Sequence, residues 1–148
     1  MQTHFVELYH YNHWANQLAL AQLPNEARPR QLFAHILAAQ NIWLNRIRAQ
    51  IDLQQPVWPD YDLETLTIKC EESDRDWISF VQDYPLDTFE EVISYQDTKG
   101  NSYETKLGDI ITHVANHGTH HRGQISSWLR EAGHTPKPTD YIFYCRTR

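Results

Sequence analysis

The run Asn116-His117-Gly118-Thr119-His120-His121-Arg122-Gly123-Gln124 carries more potential chemistry than any other stretch of the chain. His117 and His121 are four residues apart. On a helix that spacing stacks two imidazoles on one face, one turn apart, where they can grip a single divalent metal ion. The helix follows from its surroundings. Ile110, Val114, His117, His121, Ile125 and Trp128 form the inner stripe of an amphipathic helix. The two histidines hold central positions where the pattern calls for Leu or Ile, and burying polar rings there is costly without strong partners. His113 and His120 fall one residue before stripe positions and point to its flank.

One helix cannot complete such a site. His113 and His121 lie about 12 Å apart along a helix axis, too far for one tetrahedral ion bound at about 2 Å. A third ligand must come from another segment, and His4, His10, His13, His35 and His134 are available. His35 is the strongest candidate, because it lies in the apolar stretch Leu32–Leu44 with Leu32, Ala39 and Ile42 on its face. His13, with Tyr9 and Leu20 on its side, is its rival. Three neutral imidazoles leave an open coordination position, the pattern of a catalytic rather than a closed structural site. No Cys stands near a ligand position. Gly118 occupies the place of the Glu in His-Glu-x-x-His, so a zinc peptidase of that type would lack its general base.

The elements that must position these groups can be read along the chain. Helix one is expected from about Thr3 to Gln22, stopping before Pro24, with Phe5, Leu8, Asn12, Ala15 and Ala19 inward. The polar Asn12 on that stripe suggests a hydrogen bond to a ligand histidine or to another polar core group. Helix two is expected from about Arg30 to Ile51. Pro56 and Pro59 then break the chain, and Val57-Trp58 is expected to fold back over the bundle. Asp62 is an N-cap for helix three, which reaches about Tyr84 before Pro85. Glu71, Glu72, Asp74 and Asp76 along it read as a solvated face. Val92–Tyr95 and Ser102–Thr105, around a turn containing Gly100, read as a hairpin. The last helix has Asp109 in its first turn and stops at Gly133, with Pro136 beyond. The aromatic tail Asp140–Tyr144 should pack on the body. Four long helices with one crossover element make a four-helix bundle, all-α apart from the hairpin, as a single domain over residues 1–148.

Composition limits the functions available. The chain has 148 residues, 41% of them hydrophobic, with five Trp, enough for a core. No apolar run approaches the length of a membrane span, and the N-terminus lacks the pattern of a signal peptide. The two cysteines, Cys70 and Cys145, have no motif spacing, which suits a reducing cytoplasm. A net charge of −6 without a basic stretch argues against a nucleic-acid surface.

The chain resembles the DinB/YfiT family. The carrying residues are Tyr11, Asn12, Trp14 and Asn16 in helix one, and His35, Trp43 and Arg46 in helix two. With them go Tyr95 and Gly100 in the hairpin, the run Asn116–Gln124, and Asp140-Tyr141. The resemblance covers nearly the whole chain. It implies an up-down-down-up four-helix bundle and a metal held by three histidines, which map onto His35, His117 and His121. Zinc and nickel are the ions it implies, and a homodimer the assembly. Some members of the family are similar to small-thiol S-transferases, others to maleylpyruvate isomerases. On this reading Arg46 and Arg122 make helix–helix ion pairs or dock the tail rather than touch substrate, and His120 stands outside the ligand set, at its rim.

Three functions stay open on the sequence. One is a metal-dependent transferase acting on a low-molecular-weight thiol. Another is a metal-dependent hydrolase, for which Asp109 and Glu104 are the candidate bases. The third is a non-catalytic metal-binding dimer. Three imidazoles suit zinc, nickel, cobalt or iron, so the ligands alone do not fix the metal.

Overall fold

Four long helices carry the fold: α1 (Gln2–Ala21), α2 (Ala27–Ile47), α3 (Leu63–Asp83) and α4 (Leu107–Glu131). Strands β1 (Val92–Gln96) and β2 (Ser102–Lys106) form an antiparallel hairpin before α4, and a short α5 (Tyr141–Cys145) follows it. The computed structural model describes residues 1–50, 52, 54–85 and 88–148. Among these, no helix is long and apolar enough to cross a membrane.

Side-chain pairings fix the helix directions. Gln2 donates to the carbonyl of Gln82, Tyr9 stacks on Trp77, and His13 meets Asp74, so α1 and α3 run antiparallel. Tyr9 donates to the carbonyl of Ile111 and Asn12 accepts from Arg122, so α1 and α4 run parallel. Arg30 donates to the carbonyl of Tyr61, and Trp77 to that of Gln40, so α2 and α3 are also parallel. His35 faces His117 and His121 while Trp43 meets His113, which makes α2 antiparallel to α4. The bundle is therefore up-down-down-up. A parallel α2–α3 pair needs a return connection the length of the bundle, and residues 48–62 supply it.

Local chemistry explains most element ends. Asp62 caps α3 by accepting from the Thr65 N–H. Gly133 ends α4 at φ 87°, with the His134 N–H on the Leu129 carbonyl and the Gly133 N–H on the Arg130 carbonyl. That is a Schellman stop, as the sequence leads one to expect. Helix α2 stops by the same device, but earlier than the sequence suggests. Ala49 adopts φ 53°, the Gln50 N–H bonds the Asn45 carbonyl, and the Ala49 N–H bonds the Arg46 carbonyl. Alanine is the best helix former, so nothing local announces a left-handed stop there. The expected end at Ile51 lies outside the described residues. The hairpin forms as expected, with Gly100 at φ 84° in its turn.

The core has two apolar halves. One is built around Phe5, Tyr9, Trp77, Phe89 and Ile111, the other around Leu32, Phe33, Ile36, Leu66 and Ile125. Midway along the bundle, Asn12, Asn16, Asp74 and Arg122 are buried together. Nη1 of Arg122 donates to Oδ1 of Asn12 at 2.9 Å and to Oδ1 of Asn16 at 2.7 Å. Asn16 passes the interaction on, donating from Nδ2 to Oδ1 of Asp74 at 2.9 Å. Asp74 is only 3% exposed, so the expected solvated acidic face of α3 loses this member to the interior. Its charge is compensated by Arg122 through the Asn16 amide and by His13 at 3.0 Å, whose pKa the Asp74 hydrogen bond raises. The tail packs back as expected: Tyr11 donates to the Thr139 carbonyl and meets Tyr141 edge-on at 5.0 Å.

Candidate metal site

His35 projects from the first half of α2, and His117 and His121 from the middle of α4. The antiparallel packing of these helices brings the three rings together, and their candidate ligand atoms all lie within 4.8 Å of one another. Nε2 of His117 is 3.1 Å from Nε2 of His35 and 3.1 Å from Nε2 of His121. Tetrahedral zinc–nitrogen bonds of about 2.0–2.1 Å place ligand nitrogens about 3.3 Å apart. The observed spacing fits one ion at the centre.

The outer nitrogens show why the inner ones are free to bind. Nδ1 of His35 is 2.8 Å from the Val57 carbonyl, which can only accept, so Nδ1 carries the proton. Nδ1 of His121 likewise donates to Oε1 of Gln124 at 2.7 Å. Both Nε2 atoms therefore present lone pairs inward. His117 can donate a proton from Nε2 to only one of them, which leaves the other facing an atom with no hydrogen to share. Extra protons are disfavoured. Burial lowers the pKa of all three histidines, opposed at His35 by the Val57 bond and at His121 by Gln124. His117 is driven down to about 3, by burial and then by its histidine neighbours. Inward lone pairs that resist protonation suit a cation, and bonds to the outer N–H groups are the usual orienting contacts of metal-binding histidines. The group could hold a metal ion.

Trp58 lies flat on His35, ring centroids 3.7 Å apart and planes 5° from parallel, and meets His121 edge-on at 5.9 Å. The crossover thus folds over the bundle where the sequence suggested, and it supplies both a lid and the Val57 carbonyl.

The other candidates fall elsewhere. His13 is taken by Asp74, which removes the rival to His35. His113 packs against Trp43 at 5.3 Å and stays outside the trio. His120 is exposed beside His121, at the rim. Asn12 does not reach a ligand histidine, because Arg122 claims its oxygen. Arg122 spans α1 and α4 through neutral amides rather than a direct ion pair. Arg46 neither makes an ion pair among the described residues nor docks the tail; its guanidinium lies 4.6 Å from the Trp43 ring centroid and 5.4 Å from that of Tyr95. Glu104 accepts from the Ser94 hydroxyl on the hairpin, and Asp109 precedes His117 by about 12 Å of helix. Gln124 was legible in principle, since it lies three residues from His121 on the same face. Val57 contributes only its backbone, for which no side-chain signal exists.

Fold and site together define a helical-bundle protein with a three-histidine cluster able to hold a metal ion. The match to the DinB family extends over residues 1–148, and the chain belongs to that family. It is also 26% identical over 162 residues to Protein DinB of Bacillus subtilis (strain 168), spanning 93% of this chain and 91% of that protein.

Proposed function

We propose that this protein is a metal-dependent transferase acting on a small thiol, with zinc or nickel held by His35, His117 and His121. The observation that carries the reading is the donor set: three convergent imidazole nitrogens, with no fourth His, Cys, Asp or Glu in the group among the described residues. A divalent ion so held keeps a position for an exogenous ligand and lowers the pKa of a thiol or water placed there. The chain's own part is to orient. Val57 and Gln124 hold the outer N–H groups of His35 and His121, which leaves the inner nitrogens of those two rings as lone pairs. Trp58 shields His35 from water. The thiol proton leaves to solvent, the sulfur bonds to an electrophilic carbon, and the leaving group departs with its electron pair. A hydrolase would need a base near the site, and among the described residues no carboxylate bonds any of the three histidines. That favours the thiol reading over hydrolysis.

Elemental analysis of the wild type beside His35→Ala and His117→Ala, followed by thiol titration of the cobalt(II)-loaded protein, tests the proposal. About one ion per chain, lost in both variants, and a sulfur-to-cobalt charge-transfer band with conjugation of the thiol to an electrophile are expected. A protein that takes up no metal, or that gives neither band nor conjugate with any thiol, would refute it.

A further inference from the structure

The crossover between α2 and α3 is loosely packed on both sides. A cavity of about 270 Å³ separates it from the hairpin and one of about 110 Å³ from α3, and Gln55 lines both. Val57 and, from α2, Arg46 are among the walls of the first, and Tyr61 and Lys69 among those of the second. A segment with space on either side gains little from packing and opens at small cost. Pro59 is buried, but Trp58 is 50% exposed despite its size. The far end of the crossover is anchored by Arg30, which donates to the Tyr61 carbonyl. The middle is held by one residue, His35. Its Nδ1–H donates to the Val57 carbonyl at 2.8 Å, and the Trp58 ring lies on its imidazole.

That stack does not have the geometry two neutral rings prefer. Centroids 3.7 Å apart with planes 5° from parallel leave little lateral offset. Neutral π systems disfavour the face-to-face arrangement and choose offset or edge contacts, at centroid distances of about 4.5–7 Å. The other contacts of His35 obey that preference: it meets His117 at 4.8 Å and 63°, and His121 at 4.6 Å and 89°. Positive charge on one ring reverses the balance, because the negative face of the indole then attracts it. A divalent ion on Nε2 of His35 would supply that charge. It would leave the Nδ1 proton in place and make it a stronger donor to the Val57 carbonyl. Both contacts that hold the middle of the crossover are thus made to a candidate ligand ring, and both gain when that ring is loaded.

We infer that the segment Gln55–Pro59 is a metal-operated strap: an ion held by His35, His117 and His121 closes it over the site, and the closed strap holds the ion more tightly. The two effects are one coupling free energy and must be equal in size. The inference rests on the metal site of the reading above and is independent of the reaction proposed for it.

The test compares the full-length protein, metal-free and zinc-loaded, as wild type and as Trp58→Ala. Trp14→Ala serves as control, since Trp14 packs on Tyr144 of the tail, away from the histidines. Competition with a chelator should show zinc bound about tenfold more weakly by Trp58→Ala, the scale of a lost orienting contact, and unchanged in Trp14→Ala. Tenfold is about 1.4 kcal/mol, so in excess zinc Trp58→Ala should lower the melting temperature by about 3–6 °C more than it does in the metal-free protein. A purely structural role for Trp58 would cost the same with and without zinc. Labelling with 5-fluorotryptophan gives Trp58 its own fluorine resonance, assigned by its loss in the variant. Zinc should reduce the solvent isotope shift of that resonance and leave those of the other four tryptophans unchanged. Equal zinc affinity in Trp58→Ala and wild type, a melting penalty independent of zinc, or a Trp58 resonance whose exposure zinc does not alter would overturn the strap and leave the metal site standing. A protein that takes up no zinc would overturn both.

Discussion

Replacing Gly118 by Ala places a Cβ 2.8 Å from Nη1 of Arg122 and 3.0 Å from Oδ1 of Asn12. Replacing Gly123 by Ala, five residues further along the same helix, places a Cβ with nothing within 4 Å. Each substitution gains about 1 kcal/mol of helix propensity. At Gly123 that gain should stand alone. At Gly118 the guanidinium must give way, although it is 1% exposed and pinned by Asn12, Asn16 and Thr119. Weakening one hydrogen bond to a buried charge costs about 1.5–3 kcal/mol. The net effect of Gly118→Ala is a loss of about 0.5–2 kcal/mol, and the two variants should differ by about 1.5–3 kcal/mol, in opposite directions from the wild type. Urea unfolding at fixed metal loading measures the difference directly. In thermal melts each kcal/mol should appear as about 2–4 °C for a chain of this size. A Gly118→Ala protein stabilised as much as Gly123→Ala would refute the reasoning, because it would mean that Arg122 is not held where the helix must pass it.

Further outcomes follow from the same geometry. Gln124→Ala should weaken metal binding about 10- to 100-fold while leaving all three ligands in place, measured by competition with a chelator. Ala49→Gly should stabilise the protein by about 1 kcal/mol in urea unfolding, because Gly tolerates the left-handed conformation at φ 53°. The metal-free protein should lose stability as pH falls. His117 has a folded pKa of about 3, so between about 6.5 and 3 the unfolded chain takes up a proton that the folded one refuses. Thermal melts of metal-free wild type and His117→Ala across that window should show a shallower slope for the variant. His13 acts in the opposite sense: its raised pKa adds stability below about 6.5 that is lost as pH rises through the folded value, so His13→Gln should flatten the profile above that point.

Much of the molecule is written in local pattern. The four-residue spacing of His117 and His121, the inward stripe of α4, the Asp62 cap, the Gly133 stop and the Gly100 turn depend on residues within a turn or two of each other. Periodicity and propensity therefore sufficed to read them, the apolar stretch around His35 made it the leading third candidate, and the family resemblance pointed to the same residue. Other features depend on which elements meet. The apolar stretch around His35 ranks it above His13 in sequence, and the packing of α2 on α4, with α3 delivering Asp74 to His13, separates the two in space. Asp74 looks like its exposed neighbours Glu71 and Glu72 until Arg122 enters from α4. Ala49 ends α2 in a conformation its own propensity opposes. Val57 acts through a carbonyl that every residue possesses, so no residue type could mark it. Arg46 becomes the cation of a cavity only when the crossover and the hairpin close around it. A local signal fixes where a side chain sits on its own helix. What that side chain faces is decided by long-range packing, here by the return of residues 48–62 along the bundle to set α3 parallel to α2 and to carry Val57 and Trp58 over His35.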